Sequence, residues 1–120
     1  MRLEGNFYTI HNIEQKIDNS FAIEVKLSSE HPIYEGHFPQ QAVVPGVCTL
    51  TIIKECIRKI LSKEISFKSI KECKYVSALV PNHDLRIAIN LLLTNNENVS
   101  AIVERVDNQQ TVLKLKAVVG

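Results

Sequence analysis

The sequence predicts an α+β fold in which an antiparallel sheet wraps around one long central helix. The first observation is the segment from Cys48 to about Leu61, which lacks Gly and Pro and repeats apolar residues at helical spacing. The second is a set of strand-like segments, two before this helix and four after it. The third is the groups VPNHD, NNEN and DNQQ, which are typical of turns and separate the last four segments. A sheet of these strands would have one helix to cover its apolar face.

The strand segments differ in how clearly they alternate. In FAIEVKL, residues 21–27, every second residue is a large apolar one, which is the period of a half-buried strand. The preceding FYTIHNI is a weaker strand candidate. After the helix, the segments ECKYVSAL, LRIAINLLLT, VSAIVERV and TVLKLKAVV predict an antiparallel meander.

Length and charge restrict the class of protein. The 120 residues, 45% of them hydrophobic, predict a single domain over residues 1–120. Lys and Arg number 14 against 13 Asp and Glu, so the balance predicts neither nucleic-acid nor membrane binding. No apolar run approaches the ~20 residues that span a bilayer, and MRLEGNFYTI lacks the apolar segment of a signal peptide. We therefore expect a cytoplasmic protein.

The cysteines predict neither a disulfide framework nor a metal site. Cys48, Cys56 and Cys73 are odd in number and lack the paired spacing of zinc ligands, so we expect buried free thiols. We expect no metal and no cofactor. The chain also lacks a Gly-x-Ser-x-Gly elbow, which argues against nucleophilic hydrolysis.

The segment HPIYEGHFPQQAVVPGV, residues 31–47, carries the candidate chemistry. Pro39 and Pro45 restrict the backbone around His37 and ahead of the helix. Gly46 would let its N–H, or that of Val47, point at a ligand with the positive end of the helix dipole behind it. An imidazole exchanges protons near neutral pH, as removal of an α-proton from a thioester requires. These residue types therefore suit an elimination.

This segment resembles the signature of the hotdog-fold 3-hydroxyacyl-acyl-carrier-protein dehydratases, which is a Pro, then Gly-His-Phe-Pro, then Pro-Gly-Val. The matching positions are Pro32, Gly36, His37, Phe38, Pro39, Pro45, Gly46 and Val47. ALVPNHDLRIAINL is similar to the family's Val-Pro-Gly-Asp-x-Leu turn and following strand, with one residue inserted and the glycine absent. The resemblance implies a hotdog fold. It also implies a lyase that dehydrates, or in reverse hydrates, a 3-hydroxyacyl thioester on acyl carrier protein in fatty-acid or related acyl-chain biosynthesis.

The resemblance also implies site residues. His37 would be the catalytic base, and Phe38, Gly46 and Val47 would bind the substrate. The family's second catalytic residue, a Glu or Asp, corresponds to Thr51. A threonine hydroxyl cannot act as a carboxylic acid at neutral pH, although it can hold a water molecule.

Glu55 is a tentative catalytic candidate. It lies four residues after Thr51, on the same helix face, where family members often carry glutamine. It would act on the substrate through water, or else pair with Lys59 one turn further along the helix.

Partners follow from the resemblance as well. Family members usually bind the acyl chain at a dimer interface and receive it from an acidic carrier protein, so we expect a homodimer or a higher oligomer. The basic residues either form a landing site for the carrier or are simply solvated; they are Lys54, Arg58, Lys59, Lys63, Lys68, Lys71 and Lys74. Because Thr51 replaces the acid, two alternatives stay open. They are a non-catalytic subunit that binds acyl thioesters and a thioesterase on the same fold.

Overall fold

The structure, a computed structural model, describes residues 3–36 and 43–120. Its elements follow in chain order: β1 (Tyr8–Gln15), β2 (Ser20–Leu27), a short 3-10 helix (Pro32–Gly36), α1 (Gly46–Leu61), β3 (Phe67–Tyr75), β4 (Arg86–Thr94), β5 (Asn98–Arg105) and β6 (Thr111–Val119).

The six strands form one antiparallel sheet in the order β1-β2-β4-β5-β6-β3. In the described residues, six antiparallel strands with one long helix confirm the predicted hotdog arrangement. The strands β4, β5 and β6 form a meander, but the expectation that β3 precedes them in it is wrong. β3 instead pairs with β6 and lies at the edge of the sheet opposite β1.

The strand predicted over residues 72–79 is also displaced. β3 begins at Phe67 and ends at Tyr75. The backbone N–H groups of Val76 and Ser77 both bond to the carbonyl of Val112, at 2.8 and 3.4 Å, so the chain leaves the regular ladder there. The register of β3 against β6 shifts twice, between Phe67 and Ser69 and between Ile70 and Glu72.

Helix α1 begins at Gly46, two residues earlier than the periodicity predicts, and ends at Leu61 as expected. Ser62 follows in the left-handed conformation, with φ of 56°, and closes the last turn. Arg58 and Lys59 lie in that turn, where positive charge stabilises the carbonyl end of a helix.

The core lies between the helix and the inner face of the sheet. Alternate residues of the strands point inward, with Ile23 and Val25 on β2 and Ile87 and Ile89 on β4 all fully buried. The helix contributes Ile52, Ile53, Cys56 and Ile57, whose side chains are also fully buried. No helix in the described part of the chain is long and apolar enough to cross a membrane.

The thiols differ in their exposure. Cys48 and Cys56 are buried as expected, whereas Cys73 on β3 is only half-buried. Burial, with a further contribution from the nearby Glu4 and Glu55 carboxylates, raises the pKa of Cys56 to about 12. This thiol therefore stays protonated and unreactive at neutral pH.

Candidate active site

The amino end of helix α1 begins at a backbone hydrogen bond and not at a side-chain cap in the described part of the chain. The Pro45 carbonyl accepts the N–H groups of Cys48 at 2.9 Å and Thr49 at 3.4 Å, which starts the helix. Among the described residues, no side chain caps this end, and the first turn contains no acidic residue. Val47 is 61% exposed beside it. A developing negative charge on a bound molecule would be stabilised here by the helix dipole.

The side chain of Tyr75 packs directly against Gly46. A Cβ atom on Gly46 would lie 2.5 Å from Cε1, 2.8 Å from Cζ and 3.0 Å from the hydroxyl oxygen of Tyr75. The ring therefore occupies the space that a side chain would need. The sequence analysis attributed the glycine at this position to the close approach of a ligand. The structure shows a second reason, which is packing against Tyr75.

A cavity of about 300 Å³ lies next to this contact. Its lining includes Gly46 and Thr49 from the helix, and Tyr75 and Ser77 from the end of β3 and the residues after it. The Ser77 hydroxyl donates to the Thr111 carbonyl at 2.7 Å, which fixes that wall. The cavity thus joins the amino end of the helix to the edge strand.

Thr51 lies on the half-exposed side of the helix. Its hydroxyl donates to the Val47 carbonyl at 2.8 Å, one turn earlier. The proton of the hydroxyl is thereby engaged, and its oxygen can still accept a hydrogen bond from water or from a ligand.

His37 and Phe38 lie outside the described residues, so their expected roles stay predictions. The chain on both sides of them is anchored. On the amino side, the Tyr34 hydroxyl donates to the Ser28 carbonyl at 2.8 Å. On the carboxyl side, the Val44 N–H donates to the Leu79 carbonyl at 2.8 Å.

Glu55 is 2% exposed and binds the start of the chain. One carboxylate oxygen accepts the Leu3 N–H at 2.8 Å, and the other accepts the Glu4 N–H at 3.0 Å and the Tyr8 hydroxyl at 2.9 Å. Burial, together with the nearby Cys56 and Glu55, raises the pKa of Tyr8, which keeps its hydroxyl a donor. Lys59 Nζ lies 2.8 Å from a Glu4 oxygen, so it pairs with Glu4 and not with Glu55, which was one of the two alternatives for Glu55.

Several of the basic residues proposed as a carrier site are engaged with carboxylates. Besides Lys59, Arg58 lies 3.5 Å from Glu64 and Lys74 lies 3.7 Å from Glu72. Pairing reduces the local positive charge that an acidic carrier would meet.

The sequence analysis did not predict that Tyr75 lines this cavity. Tyr75 and Cys73 are two residues apart on β3 and are paired with the inward-facing Leu113 and Leu115 of β6. That period of two was the available signal. It could not reveal the contact with Gly46, because the period of a strand does not specify which element lies beside it.

Comparisons with known proteins identify the family of this chain. The model of the ApeI-like family, described as ApeI dehydratase, matches residues 13–114. The 3-hydroxyacyl-[acyl-carrier-protein] dehydratase FabZ of Macrococcus caseolyticus is 25% identical in an alignment 73 residues long, which covers 55% of this chain and 50% of that enzyme. The chain thus aligns with about half the length of this curated relative.

Solved structures of dehydratases share the fold. The dehydratase heterocomplex ApeI:P from Xenorhabdus doucetiae has a TM-score of 0.77 at 21% identity, covering 92% of this chain and 95% of that one. The dehydratase domain of a mycocerosic acid synthase-like polyketide synthase has a TM-score of 0.66 at 13% identity, covering 89% of this chain and 37% of that one. Because the family model covers most of the sequence, this chain belongs to the ApeI-like dehydratases of the hotdog fold.

Proposed function

We propose that the protein dehydrates, or in reverse hydrates, a 3-hydroxyacyl thioester carried on acyl carrier protein. The observation that carries this proposal is the family match over residues 13–114, which includes the Gly-His-Phe-Pro and Pro-Gly-Val sequences. The amino end of α1, which no described side chain caps, supports it because a thioester oxygen that gains negative charge suits this position. The FabZ relative supports a carrier-bound substrate, since its name states one.

In the proposed reaction, His37 takes the α-proton of the substrate. The electron pair of that C–H bond moves toward the carbonyl, and the thioester oxygen becomes negative beside the N–H groups of Gly46 and Val47. The pair then returns to form the carbon–carbon double bond as the bond from C3 to the hydroxyl breaks. The departing oxygen takes a proton from the His37 imidazolium, directly or relayed through a water held at Thr51, and leaves as water.

Mass spectrometry of a 3-hydroxyacyl thioester on acyl carrier protein tests the function directly. Loss of water supports a dehydratase, and addition of water to the unsaturated thioester supports the reverse reaction. Release of the free acid would identify a thioesterase instead. If neither substrate changes, the result would contradict the proposal that this protein is an enzyme on its own.

A second candidate is a non-catalytic subunit that binds acyl thioesters beside a complete dehydratase. The specific observation is that helix α1 has no acidic residue before Glu55, and that Thr51 binds the backbone carbonyl of Val47. The related ApeI structure is that of a heterocomplex, which supports a search for a second subunit.

Thr51→Glu separates these two candidates. If the protein is a dehydratase weakened by loss of the acid, the new carboxyl group should raise the rate of water loss by on the order of 10²-fold, the typical contribution of a positioned acid. Thr51→Gln has a similar size without the acid and should give no gain. Thermal melting of both variants shows whether the larger side chain is accommodated. A folded Thr51→Glu protein with no gain would contradict the weakened-enzyme interpretation.

We also propose that two copies associate through β3. Within the described chain this strand pairs on one side only, with β6, so its other edge can hydrogen-bond to a second copy. Large apolar side chains are exposed along it and at the helix start: Ile70 is 46%, Val76 54% and Val47 61% exposed. A dimer in this arrangement would extend the sheet across both copies.

Light scattering at micromolar concentration should therefore give the mass of a dimer. Ile70→Glu should shift the protein toward the monomer, because it places a charge in the proposed contact. Ile17→Glu is the matched control, since Ile17 is 77% exposed in the turn after β1, at the opposite edge of the sheet. A monomeric wild-type protein, or equal dissociation of both variants, would contradict the proposed contact.

A further inference from the structure

Tyr75 is held against the amino end of helix α1. Its backbone is paired with Leu113 in the sheet, and its ring lies on Gly46 with the hydroxyl oxygen 3.0 Å from the site of a Cβ atom. The residue lines the same cavity of about 300 Å³ as Gly46 and Thr49. In a single copy of the chain it is nevertheless 57% exposed, so a molecule that enters the cavity can reach it.

The hydroxyl of Tyr75 is suited to donating a hydrogen bond without losing its proton. Partial burial raises the pKa of Tyr75, and the neighbouring Cys73 raises it further. A thiol is a weak hydrogen-bonding group, so a more basic oxygen would compete for this hydroxyl. A phenol of raised pKa is a poor source of a proton for a departing hydroxyl group. Because it keeps its proton, it can still donate a hydrogen bond to an oxygen that becomes negative.

We propose that Tyr75 is a catalytic residue whose hydroxyl donates a hydrogen bond to the thioester carbonyl oxygen of the bound acyl substrate. This inference rests on the proposed function and adds a side-chain donor to the backbone N–H groups of the helix start. As the α-proton moves to His37, the carbonyl oxygen gains negative charge and its hydrogen bond from Tyr75 strengthens. Tyr75 keeps its proton throughout, so water still forms from the C3 hydroxyl and the proton that His37 took.

The test is the rate of water loss from a 3-hydroxybutyryl N-acetylcysteamine thioester, measured for the wild type and for Tyr75→Phe. Phenylalanine keeps the ring on Gly46 and removes only the hydroxyl. The expected result is a fall in kcat on the order of 10²-fold, the typical cost of one donor to an oxyanion. Light scattering and thermal melting should be unchanged. A kcat within about threefold of the wild type would overturn the proposal.

Tyr8→Phe is the control for loss of a tyrosine hydroxyl. Tyr8 binds Glu55, which is nine residues, or roughly 13 Å along the helix axis, from Gly46. Assayed at a temperature where it is folded, this variant should keep the wild-type kcat. An equal loss of kcat in Tyr8→Phe and Tyr75→Phe would overturn the specific role of Tyr75.

A wild-type protein that removes no water would contradict the proposed function but not the hydrogen bond from Tyr75. Titration calorimetry, which measures the binding of thioester probes, then tests that hydrogen bond. The probes are a butyryl N-acetylcysteamine thioester and the matching thioether, which lacks the carbonyl oxygen. The wild type should prefer the thioester. Tyr75→Phe should lower that preference by on the order of fivefold, the worth of one ordinary hydrogen bond. An unchanged preference would overturn the role of Tyr75.

Discussion

His37→Ala is expected to lower the rate of water loss from a 3-hydroxyacyl thioester at least ~10²-fold, because general-base catalysis typically contributes 10²- to 10⁴-fold. Alanine removes the imidazole but leaves the flanking Gly, Phe and Pro residues in place. The thioester oxygen would still be bound at the helix start, so KM should change much less than kcat. Steady-state kinetics with the carrier-bound substrate measures both constants.

The matched control is His83→Ala. His83 is an exposed residue in the turn before β4, and its loss should leave both constants unchanged. Retention of more than about a tenth of the wild-type rate by His37→Ala would contradict a general-base role, since that role costs at least ~10²-fold.

The central elements could be predicted because their burial is periodic. Strands β4 and β5 bury alternate residues over most of their length, and the helix buries one side. Strand β3 could not be placed in the same way. As an edge strand with two register shifts it leaves most of its residues exposed, so its composition resembles that of a loop.

The candidate site was predictable only where neighbouring residues define it. The start of the helix after Pro45 is a local property and was predicted to within two residues. The contact between Gly46 and Tyr75 joins residues far apart in sequence. The bonds from Glu55 to Leu3 and Tyr8 likewise span 52 and 47 positions. Such contacts depend on which strand lies beside the helix, and no spacing rule contains that information.

The largest expected effect on stability is at Glu55. Glu55→Ala removes the acceptor of three hydrogen bonds, those from Leu3 N–H, Glu4 N–H and the Tyr8 hydroxyl. A buried donor left without an acceptor costs about 1–3 kcal/mol, and the side chain leaves a cavity. We expect the free energy of unfolding to fall by about 3 kcal/mol or more, out of the roughly 5–15 kcal/mol typical of a domain. Urea denaturation followed by circular dichroism measures the change.

Glu55→Gln and Tyr8→Phe each remove part of this hydrogen-bond network, so they show how much each bond contributes to the free energy of unfolding. They also test whether Glu55 has a catalytic role. Glutamine keeps one oxygen for Glu4 N–H and the Tyr8 hydroxyl but turns an NH₂ group toward Leu3 N–H, so a loss of about 1–3 kcal/mol is expected. Tyr8→Phe removes one bond and should cost about 1 kcal/mol. If Glu55 holds the start of the chain, both variants lose stability and keep the wild-type rate per folded molecule. A Glu55→Gln protein that keeps the wild-type stability but loses most of the rate would contradict this structural role. It would indicate that Glu55 is the acid acting through water, because such a role requires the carboxyl group itself.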